Sequence, residues 1–122
     1  MNFLSRMTEA IDFMEGHLTE PISMEEISQR AYCSSHHFQR MFHMLTGYTV
    51  AEYVRLRRLT LAAQELSSST DVKVLDVAIK YGYESPEAFA KAFRRDHGLA
   101  PSDARIRGVA LRRFPASPFI SP

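Results

Sequence analysis

Ser34-Ser35-His36-His37-Phe38-Gln39-Arg40-Met41-Phe42-His43-Met44-Leu45-Thr46-Gly47 is the stretch that decides the fold. Ser34 is a good N-cap and Gly47 a good left-handed stop, so the spacing predicts one bounded helix. At about 100° per residue, Phe38, Met41, Phe42 and Leu45 gather on one side. His36, Gln39, Arg40 and His43 point the other way. An ordinary solvated face would favour Glu and Lys. This face instead offers forked heads, since Arg can grip guanine O6/N7 and Gln can grip adenine N6/N7. The segment reads as a DNA recognition helix. Taken alone, it could also be an amphipathic surface helix whose polar residues are accidental.

Upstream, Ser23-Met24-Glu25-Glu26 is a capping box that opens a short helix to about Ala31, with Ile27 and Ala31 inward. Tyr32-Cys33 then turns into the Ser34 helix. A short helix, a tight turn and a polar-faced helix make a helix-turn-helix. Before it, apolar residues at 4, 7, 11, 14 and 18 predict an amphipathic helix over Phe3–Leu18. Downstream, the capping box Thr49-Val50-Ala51-Glu52 starts a long helix to about Leu66. Its buried stripe is Tyr53, Leu56, Leu59, Ala63 and Leu66, with Arg55, Arg57 and Arg58 clustered near its start. Ser67–Asp71 is a polar break. Helices are expected over Val74–Lys80, over Pro86–His97 between the Ser85 cap and Gly98, and over Pro101–Arg107.

Repetition carries the argument further. Ser34, Phe38, Phe42 and Gly47 recur as Ser85, Phe89, Phe93 and Gly98, all at a spacing of 51. Ile27 recurs as Val77 at 50, so the second turn is one residue longer. Arg40 maps on Lys91, another base. The chain therefore reads as all-α, two helix-turn-helix subdomains on about seven helices: 1–48 and 68–107, joined by a linker helix over 49–67, with 108–122 beyond. Val50–Leu66 would be a rod of about 25 Å. Recognition elements in successive major grooves sit about 34 Å apart, a spacing such a rod plus two domain radii can supply within one polypeptide.

Bulk properties agree. At 122 residues with 45% apolar content, the chain suits one domain or two very small ones and is too apolar for disorder. There is no 18-residue apolar run and no basic-then-apolar leader, which predicts a soluble, cytoplasmic protein away from membranes. Cys33 is the single cysteine, so an internal disulfide is impossible. The net charge of +1 hides a polarity: residues 1–31 carry two basic against six acidic residues, and the rest carry 13 against 8. One surface suited to phosphates and another facing elsewhere would produce that split.

Rival chemistry fares poorly. Cys33, His36 and His37, with His17 or His43 recruited, could suggest zinc, yet neighbouring histidines about 100° apart on a helix do not chelate together easily. No metal or other cofactor is expected. The carboxylates are scattered, there is no Gly-rich phosphate loop, and Cys33 has only His36 or His37 as a base, so no enzyme is expected. A helical protein-interaction module without specific DNA binding is the alternative reading.

Pro21-Ile22-Ser23-Met24-Glu25-Glu26-Ile27, Gln39-Arg40-Met41-Phe42 and Thr46-Gly47 are followed by Val77-Ala78, Tyr81-Gly82-Tyr83-Glu84-Ser85, Phe89, Phe93, Gly98 and Pro101. With this set, about residues 5–107 resemble the AraC/XylS transcription regulators of the MarA/SoxS/Rob type. The resemblance implies a DNA-binding regulator acting as a monomer on double-stranded DNA, with activation through RNA polymerase. It implies base reading from positions matching His36, Gln39 and Arg40, with His36 standing where a tryptophan is usual. In the second helix it implies reading from positions matching Pro86, Glu87, Ala88, Ala90 and Lys91. Ala104-Arg105 replaces the usual Tyr-Arg. The combined expectation places His36, Gln39, Arg40, His43, Glu87 and Lys91 at bases, and Ser35, Arg55, Arg94 and Arg95 at phosphates, with Lys91 also read as a phosphate contact because a lone ammonium makes no bidentate base pairing. Gly108–Pro122 resembles the lead into a C-terminal domain that would take a small-molecule effector; a tail lying on the domain surface is the other possibility.

Overall fold

A computed structural model describes residues 2–68 and 71–107, and among the described residues there are seven α-helices and no strand. They are α1 (Phe3–Gly16), α2 (Met24–Arg30), α3 (Ser35–Thr46), α4 (Val50–Ser68), α5 (Val74–Lys80), α6 (Pro86–His97) and α7 (Pro101–Arg107). The segment 108–122, expected as a tail or a lead into a further domain, lies outside the described residues. Two compact units divide within α4, between Arg55 and Leu56.

The caps anticipated from sequence form as hydrogen bonds. Ser34 Oγ accepts from the His37 amide at 3.1 Å, and Ser85 Oγ accepts from the Ala88 amide at 3.1 Å. Thr49 and Glu52 close a full capping box, Glu52 N–H donating to Thr49 Oγ1 at 3.1 Å and Thr49 N–H to Glu52 Oε1 at 2.8 Å; at Ser23 only the forward half forms, Glu26 N–H donating to Ser23 Oγ at 3.1 Å while that hydroxyl donates to Glu26 Oε1 at 3.1 Å. Gly47 and Gly98 end α3 and α6 at φ 79° and 83°, each amide returning to a carbonyl four residues back at 2.8 Å. These bonds satisfy groups that every helix end leaves open.

In the first unit, α1 contributes Met7, Ala10, Ile11 and Met14, α2 contributes Ile27, and α3 contributes Phe38 and Phe42. Phe42 meets Tyr53 of α4 edge-on with ring centroids 5.7 Å apart, and Tyr53 Oη donates to Glu15 at 3.0 Å. The second unit gathers Leu59, Ala62, Ala63, Leu66, Val77, Ala78, Tyr81, Phe89, Phe93 and Ala104 into one core. Each buried Phe or Leu contributes roughly 1.5–3 kcal/mol by leaving water. Glu65 receives hydrogen bonds from Tyr81 Oη and from Lys80 Nζ, the latter at 2.9 Å. Burial alone would raise that carboxyl, but the two donors outweigh it and hold Glu65 below the usual range.

Repetition runs deeper than the two helix-turn-helix motifs. Met7, Ala10, Ile11 and Met14 of α1 are matched in spacing and burial by Leu59, Ala62, Ala63 and Leu66 of α4. Val50 and Tyr53, at the other end of α4, are matched by Pro101 and Ala104 of α7. Helix α4 is thus the closing helix of the first unit and the opening helix of the second, fused without a break.

Burial departs from the sequence stripe at helix ends. Leu4 is 57% exposed in the first turn of α1, and Leu45 is 43% exposed in the last turn of α3. Helix α1 stops at Gly16, short of Leu18. There Gly16 is a poor helix former, and the His17 ring folds back to bond the Phe13 carbonyl at 2.7 Å. Helix α4 runs two residues into the polar break, with Ser68 Oγ bonding the Glu65 carbonyl at 2.9 Å.

The two turns differ at one informative place. Tyr32 takes φ 57°, and Gly82 occupies the equivalent site at φ 87°. Left-handed backbone costs a residue with a Cβ roughly 1–2 kcal/mol, part of which glycine offsets with its own unfolded-state entropy. The Tyr32 side chain is 67% exposed, so little packing opposes the change. Tyr32→Gly is therefore expected to stabilise the protein by about 1 kcal/mol in denaturant unfolding; a loss of stability would mean the exposed ring has a packing role.

Candidate nucleic-acid interface

Burial of Phe38 and Phe42 on one side fixes what α3 presents on the other. His36, Gln39, Arg40 and His43 are all exposed, one helical face at spacings of three and four. Ser35 is half-buried in the first turn, and its Oγ lies 3.4 Å from Gln39 Nε2. The first turn of α3 carries no acidic residue, so nothing there repels an approaching phosphate.

Helix α6 repeats the scaffold with different chemistry. Phe89 and Phe93 are fully buried, their centroids 5.7 Å apart, as Phe38 and Phe42 are at 5.8 Å. Glu87, Lys91, Arg94 and Arg95 are exposed, while Ala90 is half-buried. Glu87 sits in the first turn and Arg94, Arg95 and His97 in the last. Those are the positions where each charge favours the helix dipole, which accounts for them without a ligand. Lys91 has no such explanation.

The arginines at the start of α4 do not form one outward cluster. Arg57 is buried within the second unit, in electrostatic reach of Tyr81, and Arg58 is half-buried, its guanidinium pushed down by burial. Arg55, expected at a phosphate, is half-buried in the first unit. Spacing alone could not separate these, because 100° steps place three nearly consecutive arginines on three sides of a helix.

Among the described residues, no group of three or more His, Cys, Asp and Glu is placed to hold a metal ion. Burial pushes the Cys33 thiol up, against a smaller downward pull from Arg6, the opposite of an activated thiolate. No helix among the described residues is long and apolar enough to cross a membrane.

A family model described as a helix-turn-helix domain matches residues 27–107. The chain is 37% identical over 102 residues to the HTH-type transcriptional activator AarP of Providencia stuartii, covering 84% of this chain and 75% of AarP. It is 37% identical over 97 residues to the regulatory protein SoxS of Salmonella typhimurium, covering 80% of this chain and 90% of SoxS. Among solved structures, the DNA-binding domain of the global transcriptional factor AdpA, in complex with a target DNA, superposes with a TM-score of 0.72 at 33% identity over 84% of this chain and 91% of that one. With two helix-turn-helix motifs on one scaffold and matches of this extent, the chain belongs to the AraC-type family of helix-turn-helix transcription regulators.

Proposed function

We propose that this regulator binds double-stranded DNA as a monomer, with α3 and α6 in adjacent major grooves, and activates transcription through RNA polymerase. The observation that carries the reading is the duplicated scaffold: two capped, glycine-stopped helices, each with a buried phenylalanine pair behind a polar face. A single helix-turn-helix needs a second subunit to reach the next groove, and here the second head is in the same chain. The similarity to AarP, named a transcriptional activator, supports the direction of regulation.

The heads are unequal in this reading. In α3, His36, Gln39, Arg40 and His43 face bases. In α6, Lys91 serves more as a phosphate contact than a base reader, with Arg94 and Arg95 beside it and Arg55 contributing from α4. Glu87 reaches a base only by accepting from a cytosine amino group, the one major-groove pairing a carboxylate makes.

Stoichiometry tests the proposal. Sedimentation of the protein with its selected site is expected to give one chain per asymmetric duplex site of about two helical turns. Two chains per minimal site would overturn the monomeric mode.

A further inference from the structure

Gln39 is not a free surface amide. Its Nε2 donates to Ser35 Oγ across one helical turn, at 3.4 Å. Ser35 is the first residue of α3, directly after the Ser34 cap, so its backbone is fixed by the bond from the His37 amide to Ser34. A glutamine amide has two N–H donors and one carbonyl acceptor. When the N–H anti to Oε1 is the one directed back to Ser35, the syn N–H and Oε1 remain as a paired donor and acceptor. Adenine presents the complement of that pair in the major groove, N7 accepting and the N6 amino group donating.

We propose that Ser35 is a positioning residue for Gln39, holding its amide in the orientation that selects adenine at one base pair. The proposal rests on α3 being the base-reading helix and adds the residue that sets one of its preferences. Sequence alone suggests a phosphate contact for Ser35, because a hydroxyl in the first turn of a recognition helix commonly makes one. The hydrogen bond gives the same hydroxyl a different task. Immobilising a long side chain only on binding is costly, and fixing it beforehand removes part of that cost. The second head has no counterpart: the positions equivalent to Ser35 and Gln39 in the repeat are Pro86 and Ala90, which cannot make this bond. Adenine selection by a held amide therefore belongs to α3.

Binding-site selection followed by affinity measurement on base-substituted duplexes tests this with four variants. Gln39→Ala should abolish a preference for adenine at one pair. Ser35→Ala should weaken that same preference by about threefold to tenfold and leave the preferences at other pairs unchanged. Ser35→Thr keeps a hydroxyl at the position and should retain the preference, which a purely steric role for Ser35 would not require. Arg40→Ala serves as the reference and should relax a different pair. If Ser35→Ala lowers affinity for all duplexes alike, Ser35 is a phosphate contact and the positioning role is wrong. If Gln39→Ala leaves the selected sequence unchanged while Arg40→Ala shifts it, Gln39 is no reader and the proposal fails alone. If neither shifts it, the base-reading role of α3 fails with it.

Discussion

Phe89→Ala is expected to destabilise the protein by about 3–5 kcal/mol, the cost of emptying a buried aromatic site in a packed core. Phe89 is fully buried at the centre of the second unit. Its ring meets Tyr83 at 5.4 Å and Phe93 at 5.7 Å between centroids, and such contacts add to the area it removes from water. Small domains hold only about 5–15 kcal/mol in total, so one truncation removes a large share of it. Phe38→Ala should do the same in the first unit, where Phe38 is equally buried against Phe42. Hydrogen exchange separates the two. Phe89→Ala should release protection chiefly from residue 56 onward, and Phe38→Ala chiefly before it. A loss below about 1 kcal/mol for either would contradict the core assignment.

Much of this architecture is written in local chemistry. Ser34, Ser85, Gly47 and Gly98 each have one strong conformational preference, and each is used as that preference dictates. The phenylalanine pairs mark buried faces because large aromatic surfaces are seldom left in water. What stayed hidden has physical causes too. The division inside α4 is marked by no cap or glycine, because fusing a closing helix to an opening one removes both; only the deeper repeat on either side of it betrays the join. Leu4 and Leu45 fit the apolar period yet stay exposed, since periodicity gives direction around a helix and says nothing of where the neighbour ends. Arg57 shows the converse: about 40° outside the arc of the apolar stripe, it reads as surface, yet it is buried.

The candidate interface was legible to a similar depth. Residue types distinguish α3 from an ordinary solvated helix, and the structure leaves those side chains exposed. The tie between Ser35 and Gln39 was not legible, because spacing of four brings two polar side chains within reach on a helix without saying that they bond. In α6 the dipole explains Glu87, Arg94 and Arg95 well enough that their presence alone identifies no reader.

The two heads are therefore set against each other by Arg40 and Lys91, equivalent positions in the repeat. Arg40 presents a planar fork suited to guanine, while Lys91 presents a point charge on a flexible stem. Arg40→Ala is expected to cost about 1–3 kcal/mol on the preferred site and to relax preference at one or two base pairs. Lys91→Ala should weaken binding to all sequences alike and lower the salt slope by about one unit, as loss of one phosphate contact does. Binding-site selection on both variants, with affinity measured at several salt concentrations, is the most direct test of the proposal that one head reads and the other grips. The account predicts an altered selected sequence for Arg40→Ala and an unaltered one for Lys91→Ala. The reverse result would contradict it.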